Sequence, residues 1–130
     1  MSIVKSYQDL RIWKQAIELV KSVYQLTRKL PKSELYGLAS QMQRAAVSVP
    51  SNIAEGHNRL HEREFIQFLN ISLGSCAELE TQLILVRELG LSDAKECNEL
   101  LEFVNSEAKQ IRALLNRITS GQQPAASSKS

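Results

Sequence analysis

Four apolar rows, each advancing by steps of three and four residues and the first three closed by proline or glycine, commit this chain to α-helices laid side by side. The first row is Leu10, Trp13, Ile17, Val20 and Tyr24, with Asp9 placed to cap its start and Pro31 to close it. The second follows Ser33 and runs Leu35, Leu38, Met42, Ala45, Val49 and Ile53, ending near Gly56. The third, from about Glu62 to Leu89, carries Phe65, Leu69, Ser72, Cys76, Leu79, Leu83 and Val86 and stops at Gly90. The fourth opens at Asp93, with Glu96 three residues on in capping-box register, and carries Cys97, Leu101, Val104, Ala108, Ile111, Leu115 and Ile118. No segment shows the two-residue period of a strand.

Helical segments of roughly 20 to 28 residues joined by linkers of a few residues must double back on one another. The expected fold is therefore all-α, an up-down-up-down antiparallel four-helix bundle spanning residues 1–119. Residues 120–130, mostly Gly, Gln, Pro, Ala and Ser, are too polar to pack and read as a disordered tail. With 130 residues and 43% hydrophobic side chains, the chain makes one domain with a core of its own. Pro50 is the local conflict. Inside a helix it forfeits a hydrogen bond and crowds the Ala46 carbonyl, at a cost of about 3 kcal/mol. The apolar rhythm passes from Val49 to Ile53 in phase, which favours a kink over a break.

Chemistry-bearing patterns are missing. There is no Walker loop, dinucleotide glycine fingerprint, HExxH pair or GxSxG elbow. His57 and His61 sit between helices two and three near Glu55, Glu62 and Glu64, but their spacing spans an expected turn, so they read as surface histidines rather than metal ligands. Cys76 and Cys97 lack metal or redox spacing and fall on apolar faces, as buried thiols do. No catalytic residue, metal or cofactor is expected, and the chain does not read as an enzyme. Trp13 and the tyrosines fall on or near core faces, which gives little support to a base-stacking platform. Met1 to Tyr7 has no secretory apolar core and no stretch approaches 18 uninterrupted apolar residues, so a cytoplasmic location with no membrane partner is expected.

The faces of the helices say more. On a 100° wheel the apolar residues of helix one occupy about 200°, whereas a bundle seam needs about 100°. Ile12, Leu19, Leu26 and Leu30 make up the excess. Either they wrap into an irregular monomeric core, or another copy of the chain covers them. The width of the arc favours the second reading, a homo-oligomer with these four at its interface. Arg44, Ser48, Ser51 and Glu55 lie opposite the core row of helix two. Arg44, Ser48 and Glu55 are assigned to the same interface, a plain solvated face being the alternative. Glu80 and Arg87 lie inside the apolar arc of helix three, where they are either paired across a packing surface or placed at its rim with their heads in water.

Sixteen basic and 14 acidic side chains give a net charge of +2, which names no partner. Residues 1–32, however, hold seven basic side chains against Asp9 and Glu18, a local +5. Arg11, Lys14, Lys21, Arg28 and Lys32, with Lys29 beside them, form a stripe about 30 Å long on helix one. Two readings stand: ordinary solvated helix surface, or a platform that tracks the phosphates of RNA or DNA without base specificity.

The segments YQDLRIW (Tyr7 to Trp13), LYGLASQMQRA (Leu35 to Ala45), RAAVSVPSNIAEG (Arg44 to Gly56) and FLNISLGSCAELETQL (Phe68 to Leu83), with the Leu89–Gly90 pair, occur in order over about residues 7–119. Together they resemble the four-helix-bundle family encoded in intervening sequences of bacterial 23S ribosomal RNA genes, the proline-containing segment that ends in NIAEG being the most specific. The family takes in relatives of the accessory variability determinant of diversity-generating retroelements. The resemblance implies a pentameric ring of bundles that binds RNA or DNA through basic surfaces, or an adaptor that docks a reverse transcriptase. The number five comes from the resemblance alone.

Overall fold

The computed structural model describes residues 6–121. Among them are four α-helices, α1 (Arg11–Thr27), α2 (Leu38–His57), α3 (Glu62–Glu88) and α4 (Ala94–Thr119), with short 3-10 turns at Tyr7–Asp9 and Lys32–Glu34 and no strand. The helices pack in chain order around a square, α1 on α2, α2 on α3, α3 on α4 and α4 back on α1, and their backbones come close across neither diagonal. Antiparallel neighbours are marked at their ends. Lys29, just beyond α1, bonds Glu96 in the first turn of α4, and Arg87 at the end of α3 bonds Asn98 of α4. Most of the segment 120–130 expected to be disordered lies outside the described residues.

Helix ends follow local chemistry more closely than cap signatures. α3 closes where Gly90 adopts φ +67°, with Gly90 N–H donating to the Arg87 carbonyl and Leu91 N–H to the Val86 carbonyl. This is the Schellman arrangement, and Leu91 packs back on the core. Asp9 does not cap α1. It lies in the preceding 3-10 turn, itself capped by Ser6, and Leu10 takes the N-cap position. Asp93 stands at the N-cap of α4, yet its side chain makes no capping bond, so the expected box does not form. The second helix begins at Leu38, later than its apolar row, and Leu35 is 53% exposed.

α2 runs unbroken through Pro50, which is buried. Beside it the buried Ser72 hydroxyl of α3 donates to the Val49 carbonyl at 2.9 Å. Two turns further, the approach of α2 to α3 tightens until a Cβ on Gly56 would lie 2.7 Å from Phe68 Cβ and 3.0 Å from Phe65 Cδ1. Only glycine lets the two backbones come this close.

The core corrects the reading of α1. Ile12, Ala16, Leu19, Val23, Leu26 and Leu30 are buried, Leu19 and Leu26 completely, by the chain's own helices. Leu10, Trp13, Ile17, Val20 and Tyr24, expected to form the seam, are half-buried on the flank about 120° away. Both rows step by three and four, so periodicity marks them equally; the direction of α2 and α4 selects the inner one. The surplus that called for a second copy is therefore enclosed within the chain, and Ile12, Leu19, Leu26 and Leu30 are core residues rather than an interface. Ser48 is likewise taken up internally, its Oγ 2.7 Å from that of Ser75 on α3.

Candidate nucleic-acid interface

The outward surface of α1 carries a row of cations. Lys14, Lys21 and Arg28 recur every seven residues, so they drift by only about 20° per step and stand in a nearly straight line with gaps of about 10.5 Å. All three are exposed. Lys21 Nζ is 3.3 Å from Glu18 Oε2, both side chains well in water, so the pair holds Lys21 weakly. Arg11, Lys14, Arg28 and Lys32 make no ion pair among the described residues.

Three of the predicted cations lie off the line. Lys29 turns to α4, with Nζ 3.0 and 3.1 Å from the Glu96 carboxylate oxygens. Arg11 stands 18 residues, or five turns, before Lys29 and shares that flank. Lys32 lies past the helix end in the second 3-10 turn. The stripe is thus a central row of three with its ends splayed.

Alongside this row runs the half-buried row of Leu10, Trp13, Ile17, Val20 and Tyr24. Near its far end Val20, Lys21, Tyr24, Gln25 and Arg28 line a shallow open depression of about 400 Å³. The segment beneath is tied to α2: Thr27 Oγ donates to the Tyr24 carbonyl at 3.1 Å and accepts from Gln43 Nε2 at 3.0 Å. At the opposite end Trp13 meets Tyr7 edge to face, ring centroids 5.3 Å apart. Tyr24 therefore sits at a boundary beside two cations, which reverses its expected place in the core.

The other singled-out residues lie elsewhere. Arg44 is exposed on α2. Glu55 is exposed and bound to Arg59 at 2.6 Å, whose guanidinium also covers the Phe68 ring. Burial lowers the His57 pKa, partly opposed by Asp9, and the ring packs edge-on against Phe65. His61 is exposed, and no group of three or more His, Cys, Asp or Glu among the described residues is placed to hold a metal. The Cys76 thiol is pushed up to about 12 by burial and the nearby Glu107 and Glu80 carboxyls, and burial raises Cys97 too, so neither thiol is an activated nucleophile. Of the two charges expected within the apolar arc, Arg87 bonds Glu88 and Asn98, while Glu80 makes no ion pair among the described residues.

The fully buried charge-bearing residue is one that the apolar pattern passed over. Glu107 on α4 is 0% exposed, neither carboxyl oxygen has a hydrogen-bond partner, and burial pushes its pKa up to about 8. The available signal was its place midway between Leu100 and Leu114, seven residues from each, on a second buried row of that helix.

No helix among the described residues is long and apolar enough to cross a membrane. A crystal structure of a protein of unknown function from the S23 ribosomal protein family of Bacteroides thetaiotaomicron superposes with a TM-score of 0.76 at 19% identity, covering 81% of this chain and 95% of that one. That likeness establishes the shared fold. No curated protein matches the chain. The sequence itself carries the assignment further: residues 8–116, from the turn before α1 to the last turn of α4, match the family of 23S rRNA-intervening sequence proteins, and the chain belongs to that family.

Proposed function

We propose that this chain is a non-catalytic nucleic-acid-binding protein that lays the outer flank of α1 along a phosphate backbone. The observation that carries the reading is the straight, exposed row of Lys14, Lys21 and Arg28 next to a half-buried apolar row, on a helix whose own acids are few. Cations held in register by a rigid helix neutralise successive phosphates and release counterions, an interaction that needs no base readout. Three phosphate contacts imply an affinity that falls with salt at a log–log slope of about −2 to −3.

The test is fluorescence anisotropy of labelled RNA and DNA 30-mers across a salt series, with the wild type and the triple variant Lys14→Glu, Lys21→Glu, Arg28→Glu. The variant should lose binding while its circular dichroism stays helical. Unchanged affinity in the triple variant overturns the reading.

A scaffold or adaptor role is the second reading, and the half-buried Trp13, Ile17, Val20 and Tyr24 row favours it, because such a row also suits a protein partner: further copies in a five-membered ring, or a reverse transcriptase. In that case light scattering gives a multiple of the 14.6 kDa chain mass, or protein partners survive nuclease treatment in a pull-down.

A further inference from the structure

We propose that the depression between Lys21 and Arg28 is a stacking subsite for one unpaired nucleobase, which makes single-stranded nucleic acid the preferred ligand of the α1 surface. This rests on the nucleic-acid reading above and specifies its ligand class. Tyr24 follows Lys21 by three residues and precedes Arg28 by four, so it stands one helical turn from each cation on the same side. Val20, one turn before Tyr24, supplies the other apolar wall. A site that offers an aromatic ring between an ammonium and a guanidinium, with an isopropyl group at one end, matches a nucleotide: an apolar, polarisable face flanked by two anions.

The backbone that carries the ring is tied down. Tyr24 is half-buried, and the Gln43–Thr27–Tyr24 hydrogen-bond chain anchors its backbone to α2, so little order has to be imposed when a base arrives. Lys21 and Arg28 are about 10.5 Å apart along the helix, and their long stems let the heads lean towards the phosphates on either side of one nucleoside. Lys21 gives up only the exposed Glu18 contact in doing so.

A duplex fits this site less well. Its base faces are stacked on one another, and its major groove displays hydrogen-bonding edges. The flank of α1 offers Ile17, Val20 and Tyr24 beside the cations, side chains that suit base faces and read no edge. An unpaired base can turn out and lie on the ring, the sequence-tolerant contact of single-strand binders. Lys14 then continues the backbone track past Ile17, which stands three residues after Lys14 as Tyr24 does after Lys21.

The experiment measures affinity at one ionic strength for a single-stranded 20-mer, the same strand carrying abasic sites throughout, and a 20-bp duplex, with wild type, Tyr24→Ala and Tyr24→Phe. Tyr24→Ala should weaken single-strand binding about tenfold, the usual scale of one stacked base. It should leave the abasic strand and the duplex within twofold, while Tyr24→Phe keeps the wild-type preference. For wild type, removing the bases should cost a similar factor, a comparison that does not depend on how the variants fold. Equal loss on all three ligands, or none on any while wild type binds, overturns the stacking subsite and leaves backbone tracking in place. Failure of wild type to bind any of the three overturns both.

Discussion

Glu107 builds a pH-dependent weakness into the middle of the bundle. Its carboxyl is enclosed without a hydrogen-bond partner, and burial pushes its pKa from the ordinary 4.5 to about 8. The unfolded chain titrates this group near 4.5, so between pH 4.5 and 8 the folded protein retains a proton that the unfolded one has lost. Stability must fall as pH rises through that window and level off above pH 8. The full loss is about 5 kcal/mol, of which about 3 kcal/mol is already felt at pH 7. Set against the ~5–15 kcal/mol that holds a domain of this kind together, this is a large fraction. Glu107→Gln keeps the size and removes the ionisation. Urea unfolding of both proteins at pH 5, 7 and 9 should show them within about 1 kcal/mol of one another at pH 5, with the variant ahead by several kcal/mol at pH 9. Other titrating groups are common to both proteins and cancel in the difference. A gap that stays constant from pH 5 to 9 would refute the buried, unpaired carboxyl as the source.

Two further outcomes follow from the packing. Leu19→Ala should cost about 2–5 kcal/mol in chemical denaturation, and Leu19→Glu should abolish the helical circular dichroism rather than release folded monomers; a stable, folded Leu19→Glu protein of lower mass would restore the interface role. Gly56→Ala gains about 1 kcal/mol of helix propensity but drives a Cβ into Phe68 and Phe65, so a net loss of about 1–2 kcal/mol is expected, and a raised melting temperature would show that α2 and α3 do not approach so closely.

Much of the architecture was legible because helix period and breakers are local. The α3 row was read correctly from Leu69 to Val86, and its stop at Gly90 followed from the left-handed backbone there. Pro50 was placed inside a continuous α2, since the phase of Val49 and Ile53 holds across it. The site was less legible. Cation positions on α1 could be listed, but Lys29 leaves the row for Glu96, a contact 67 residues away in sequence that no local pattern encodes.

Spacing and composition by themselves determined that four helices form, roughly where they end, and that α1 carries both a wide apolar arc and a line of positive charge. Only the tertiary structure decided which part of that arc faces inward. A helix with apolar rows some 120° apart satisfies its own hydrogen bonds whichever row is buried, so the choice falls to the neighbours it packs against. Because α2 and α4 cover Ile12, Leu19 and Leu26, the Trp13–Tyr24 row is left at the surface beside Lys14, Lys21 and Arg28.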